Sequence, residues 1–198
     1  MKDIKLLFAA LLLALFTFAS CDEKEETGDF DNWKERNAQY LDSIAGVARA
    51  NTDGLWKVVL AEGLDSSREW PVGCYVYCKV LTEGSGTAHP AFTDSVAVNY
   101  SGRLIPSVNY PKGYIFDSSY DGELDPDFDV PVTFALNGTV PGFYTAVQKM
   151  TEGDTWRVYV PYELGYGTED GAAIPGYSTL IFDINLVSFH AVGTTPEK

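Results

Sequence analysis

The sequence predicts an α+β fold in which a β-sheet lies on one short α-helix and a second helix precedes the sheet. Three observations predict it. Residues 132–167 read as strand, turn, helix, strand and aromatic loop; residues 72–190 carry dense period-two patterning broken by turn residues; residues 29–50 carry the three- and four-residue apolar spacing of a helix.

Taken in order, residues 1–20 read as a targeting segment outside the fold. Lys2 and Lys5 supply the positive end, 6–18 is almost wholly apolar, and Ala19 and Ser20 are the small residues before a cleavage site. The apolar run is short for a membrane span. Cys21 follows directly, so the segment resembles a bacterial lipoprotein signal, in which that cysteine is acylated; Phe18 stands where leucine is usual. The alternative is an ordinary secretory signal with an incidental cysteine.

Residues 21–29 then read as an acidic tether, with Asp22, Glu23, Glu25, Glu26 and Asp29. Such runs resemble the surface-export signals of some Gram-negative lipoproteins. Cleavage after residue 20 removes Lys2, Lys5 and Asp3, so 14 basic and 28 acidic side chains become 12 and 27, formally −15. That balance argues against nucleic acid as a partner, since a polyanion is bound through basic side chains that release its counterions.

Residues 30–71 form an N-terminal helix and extension. Phe30, Trp33, Tyr40, Leu41, Ile44 and Val47 fall near one side of the helix, with Lys34, Glu35 and Arg36 away from it. This stripe covers the domain's own sheet or pairs with a second copy as a homodimer; the first is favoured because partner helices carry longer repeats. Trp56, Val58 and Leu60 alternate as a strand.

Residues 72–190 form the main domain, followed by a tail at 191–198. A strand covers 75–81, a turn 83–86, and Val96, Val98 and Tyr100 face inward on the next strand. Cys74 and Cys78 in CYVYC sit about 13 Å apart on one strand, too far for a disulfide, and are expected as two buried thiols. With only His89 and His190 in the chain, no metal site is expected, and no cofactor. Val132, Phe134 and Leu136 alternate on one strand, Trp156, Val158 and Val160 on another, and Leu180, Phe182, Ile184 and Leu186 on the last. Between the first two lies the helix, with Phe143, Ala146, Val147 and Met150 as its apolar stripe, Thr145, Gln148 and Lys149 on its wet side, and Gly153 ending it.

Here the residues carry a resemblance. VNYSGRL, IFDSS, VTFAL, VPGF, a helix ending in M-x-x-G, VPYELGYG and IPGYSTLIFDINL occur in the order and approximate spacing of the FKBP-type peptidyl-prolyl isomerases, over about residues 72–189. The resemblance implies a half-open, twisted antiparallel sheet wrapped on the short helix, with the proline site between them. It also implies the site. Tyr100 matches the wall tyrosine, Phe116 and Asp117 the Phe-Asp pair, Val140 the residue whose amide contacts substrate analogues, and Phe143 the floor. Tyr166 matches the tyrosine that bonds a substrate carbonyl, Ile174 the apolar loop residue, and Phe182 the ring on the last strand. Four features depart from the family pattern. Phe143 stands where tryptophan is often found, Val132 stands where a second pocket phenylalanine is found, the loop between Gly167 and Ile174 shows Glu169 and Asp170 and lacks the histidine sometimes found there, and insertions lengthen the loops around 107–113 and 122–130.

The chemistry such a site performs needs no nucleophile. Rotating an Xaa-Pro bond means losing amide resonance against a barrier of about 18–20 kcal/mol. A dry aromatic box favours the twisted, less polar amide, and hydrogen bonds made best to that geometry lower the barrier further. The expected partners are proline-containing or unfolded polypeptides outside the cytoplasm. A catalytically inactive module that grips such segments is the second reading. Asp125 and Asp127 in DPDFD suggest a paired-acid hydrolase, but a loop run does not set the spacing such chemistry requires.

Overall fold

The fold, seen in a computed structural model that describes residues 28–125 and 128–191, is built on β3 (Ser95–Arg103), a strand buried on both faces along most of its length. The signal segment, Cys21, Asp127 and the tail from 192 lie outside the described residues. The other strands are β1 (Trp56–Leu60), β2 (Tyr75–Thr82), β4 (Ile115–Ser118), β5 (Val132–Ala135), β6 (Thr155–Val160) and β7 (Leu180–His190). Among the described residues they form one seven-stranded sheet, antiparallel throughout, in the order β1-β2-β6-β7-β3-β4 with β5 also on β3.

β4 and β5 share one edge of β3. β5 takes Ser95–Val98 and β4 takes Ser101–Arg103. The gap between them is closed by Ser119, whose hydroxyl accepts the Tyr100 amide at 2.9 Å and whose own amide donates to the Tyr100 carbonyl at 2.9 Å. That exchange fixes Tyr100 where the sheet parts.

Residues paired across adjacent strands share a face. Cys78, Val158, Phe182 and Gly102 are in one row, and Val80, Trp156, Ile184 and Tyr100 in the next. On this face lies α2 (Pro141–Val147), a single two-turn helix with Pro141 at its first position. It lies close because Gly142 has no side chain: a Cβ there would collide with the Val160 side chain. Gly142 is the second residue of the helix. Phe143, Ala146 and Val147 are buried as expected, but the helix stops at Val147 and Met150 is buried from the turn that follows. Thr145, expected to be wet, is only 3% exposed, because so short a helix in a curled sheet is covered on more than one side. Gly153 does not end the helix; at φ +90° it forms the tight turn into β6, where Asp154 accepts the Thr151 and Gly84 amides at 2.6 and 2.8 Å.

On the opposite face lies α1 (Trp33–Ala50), four residues shorter at its start than periodicity suggests. Its buried stripe is Trp33, Asn37, Leu41, Ala45 and Ala48, while Phe30 and Val47 are about half exposed. The helix packs on its own sheet. Tyr40 meets Tyr159, which stacks on Trp56. Trp33 Nε1 donates to Ser178 Oγ at 2.9 Å, and Asn37 Oδ1 accepts the Thr179 amide at 2.7 Å.

Cys74 lies half-buried in a 3-10 turn ahead of β2, and Cys78 is buried within β2; both are free. No helix among the described residues is long and apolar enough to cross a membrane.

Candidate active site

Where α2 begins, the sheet parts between β4 and β5 and leaves a cavity of about 530 Å³. Its lining comes from every neighbouring element. Tyr100 is on β3, Phe116 and Asp117 on β4, Phe134 on β5, Gly138 to Pro141 and Phe143 run into and along the start of α2, Tyr166 follows the 3-10 turn at Tyr162–Leu164, and Phe182 is on β7.

The floor is a set of rings at steep angles. Phe143 and Phe182 are 3% and 5% exposed and stand edge to face at 5.4 Å; Phe182 meets Phe116 the same way at 5.7 Å. Phe134 packs on Phe143 at 5.9 Å, and Tyr100 stands edge-on to both Phe134 and Phe143 at 6.2 Å. Such pairs each add about 0.5–1.5 kcal/mol beyond the burial of their area. Gly102 makes the floor possible, since a Cβ there would be 2.7 Å from Phe116 and 2.8 Å from Phe182.

The rim is polar. The Tyr100 hydroxyl donates to Asp117 Oδ2 at 2.6 Å. Burial, and then the hydrogen bond and charge of Asp117, push the Tyr100 hydroxyl well above the usual tyrosine range. Tyr166 is raised by partial burial and by the Asp117 charge, which places its hydroxyl in the same field. Both tyrosines stay protonated donors at neutral pH, and the exposed Asp117 carboxylate acts on both. Among the described residues no group of three or more His, Cys, Asp or Glu could hold a metal; the site offers rings, two tyrosine hydroxyls and a carboxylate.

Of the residues singled out in the sequence, Tyr100, Phe116, Asp117, Val140, Phe143, Tyr166 and Phe182 line this cavity, and two do not. Val132 is 38% exposed and outside the lining; Phe134, two residues on along the same strand face, holds the wall. Ile174 is half-buried in the loop before β7, where its carbonyl accepts the Gly171 amide, and it too is outside the lining. Sequence reasoning also passed over Gly102. Its signal was its place one pleat beyond Tyr100, facing Phe182. Three further aromatics pair away from the cavity, Tyr162 with Tyr177 and Tyr144 with Phe92.

The family described as FKBP-type peptidyl-prolyl cis-trans isomerase matches residues 86–187. The chain is 41% identical over 109 residues to the macrophage infectivity potentiator of Trypanosoma cruzi, covering 54% of this chain and 50% of that protein. It is 38% identical over 111 residues to the outer membrane protein MIP of Legionella longbeachae, covering 56% and 42%. The chain thus spans about half the length of the curated relatives it matches. Among solved structures, a peptidyl-prolyl cis-trans isomerase from Pseudomonas syringae pv. tomato superposes with a TM-score of 0.53 at 27% identity, covering 77% of this chain and 95% of that one.

Proposed function

The chain belongs to the FKBP-type peptidyl-prolyl cis-trans isomerase family, and from that premise we propose that its ring-floored cavity isomerises Xaa-Pro bonds of exported polypeptides. The observation that carries this is the pairing of a dry floor, Phe143, Phe182 and Phe116 at right angles, with a polar rim in which Tyr100 holds Asp117 at 2.6 Å. A prolyl ring seats on the floor. The amide it belongs to then lies at the rim, partly out of water, where the twisted form loses less solvation than the planar form. Tyr166 donates to a carbonyl of the client, the Val140 amide at the mouth of α2 contacts the backbone, and Asp117, oriented by Tyr100, places its charge beside the rotating amide. Phe134 takes the part that the resemblance gave to Val132, and Ile174 meets the client outside the cavity. Nothing covalent forms, so the barrier falls by differential binding alone.

The test is catalysed isomerisation of an Xaa-Pro peptide by the protein beside Tyr166→Phe, Asp117→Ala and Phe182→Ala variants shown to be folded. Each is expected to lose about tenfold or more in kcat/KM. A folded wild type with no rate above background would remove the enzyme reading. Binding without turnover would leave a module that grips proline-containing segments.

The same reading places the protein in a Gram-negative cell envelope, held by a lipid on Cys21 with the acidic stretch as its tether. What supports it is the order of basic end, apolar run, small pair and cysteine at 2–21. Mass spectrometry of the mature N-terminus checks it, and an unmodified Cys21 overturns it. Pairing of two copies through α1 is not part of this reading, because that helix buries its stripe on its own sheet.

A further inference from the structure

A second concavity, of about 700 Å³, has no lining residue in common with the first. Three segments build it: Phe30 and Trp33 at the start of α1, Tyr110 and Tyr114 ahead of β4, and Tyr177 in the loop before β7. Its walls are tied in place. Asp29 accepts both the backbone and the side-chain amide of Asn109, at 2.9 and 3.0 Å, and the Arg36 guanidinium donates to the carbonyls of Asp29 and Pro106 at 2.7 and 2.9 Å. Asp170 accepts the Gly176 amide at 2.8 Å and closes the far wall. Within these walls Phe30 stands edge to face with Trp33 at 5.2 Å, and Tyr110 with Tyr114 at 5.1 Å. Yet Phe30, Tyr110 and Tyr114 are 49%, 41% and 36% exposed, so the chain holds rings in fixed positions without covering them itself.

Lining residues of this groove adjoin those of the first cavity on two flanks. Tyr114 is two residues before Phe116, a step of about 7 Å on extended backbone, at the point where the register of β4 on β3 shifts. On the other flank, the segment that carries Tyr166 returns to Tyr177, whose amide donates to the Gly167 carbonyl at 2.9 Å. We propose that the groove binds the stretch of the same client polypeptide that flanks the isomerised proline, and that it takes prolyl and aromatic side chains on its rings. The proposal rests on reading the first cavity as a proline site. An extended client advances about 3.1–3.4 Å per residue, so the groove meets residues from about two positions outward. Ring-lined grooves suit such segments because prolyl and aromatic faces stack on them and a stiff extended chain loses little freedom on docking.

The experiment titrates the full-length protein in detergent micelles, by fluorescence anisotropy, with two labelled peptides: a capped four-residue Xaa-Pro core, and that core extended on both sides by residues rich in tyrosine and proline. The extended peptide is expected to bind about tenfold more tightly. A Tyr110→Ser, Tyr114→Ser double variant should lose that advantage while binding and isomerising the short peptide as the wild type does. Phe30→Ser, a change at an exposed ring, is the second variant should the double one fail to fold. No advantage for the extended peptide, or an advantage that survives these changes, overturns the proposal. So does a concentration-dependent dimer abolished by them, which would assign the groove to a second copy of the chain. Because binding is read separately, absence of short-peptide isomerisation by the wild type would sink the enzyme reading without being mistaken for failure of the groove.

Discussion

Gly102 leaves the room in which two rings of the floor sit. It lies one pleat from Tyr100, and the space a side chain would fill is occupied by Phe116 and Phe182. Gly102→Ala is expected to cost about 1–3 kcal/mol by overpacking and to force the Phe116 ring outward, opening the floor. A fall in melting temperature together with a rise in KM for a short Xaa-Pro peptide would check this; an unchanged KM would mean that the floor relaxes without reshaping the site. The sequence shows such residues unevenly. Phe116, Asp117, Tyr166 and Phe182 are legible because their order along the chain is distinctive. Phe134 is not, because Val132 and Phe134 share one strand face, opposite Val98 and Val96 of β3. Which of them reaches the cavity depends on where α2 crosses that face, a tertiary distance that no local pattern encodes.

The two helices differ in what their own sequences reveal. The apolar positions of α2 were readable, but its end and its buried Thr145 were not, since a seven-residue helix covered on several sides has no clear wet face. For α1 the missing element was a polar one. Asn37 is 2% exposed in the middle of the apolar stripe, where its Nδ2 donates to the Trp33 carbonyl at 2.7 Å and its Oδ1 accepts the Thr179 amide from far along the chain. Asn37→Leu fills the same space but leaves the Thr179 amide unpaired in the interior. It is expected to cost about 1–3 kcal/mol, seen as a lower urea midpoint with an unchanged slope. A changed slope would instead place the effect in the denatured state. Because Trp33 and Asn37 hold Ser178 and Thr179 at the foot of the loop before β7, the same variant should also weaken the extended-peptide advantage.

Across the whole molecule, β6, β7 and β3 are drawn together under α1 by one carboxylate. Asp183 accepts from Arg157 at 2.6 and 2.9 Å and from Arg103 at 2.9 Å, on three adjacent strands. Burial raises the Asp183 pKa, but the hydrogen bonds and charges of the two guanidiniums outweigh it and hold the carboxyl below its ordinary value. A folded-state pKa below the unfolded one means that the ionised carboxylate stabilises the fold. This contribution is complete above the unfolded value of about 3.9 and is lost as pH falls through the lower folded value. Asp183→Asn should therefore cost about 2–3 kcal/mol at neutral pH, since it leaves two guanidiniums facing a neutral amide in a half-buried site. The difference from wild type should shrink only below about pH 4. Denaturant unfolding of both proteins from pH 7 to pH 3 reads this directly. A gap that stays constant across that range would show that Asp183 acts through packing, and a gap that closes well above pH 4 would show that its carboxyl is raised and not lowered by its place under α1.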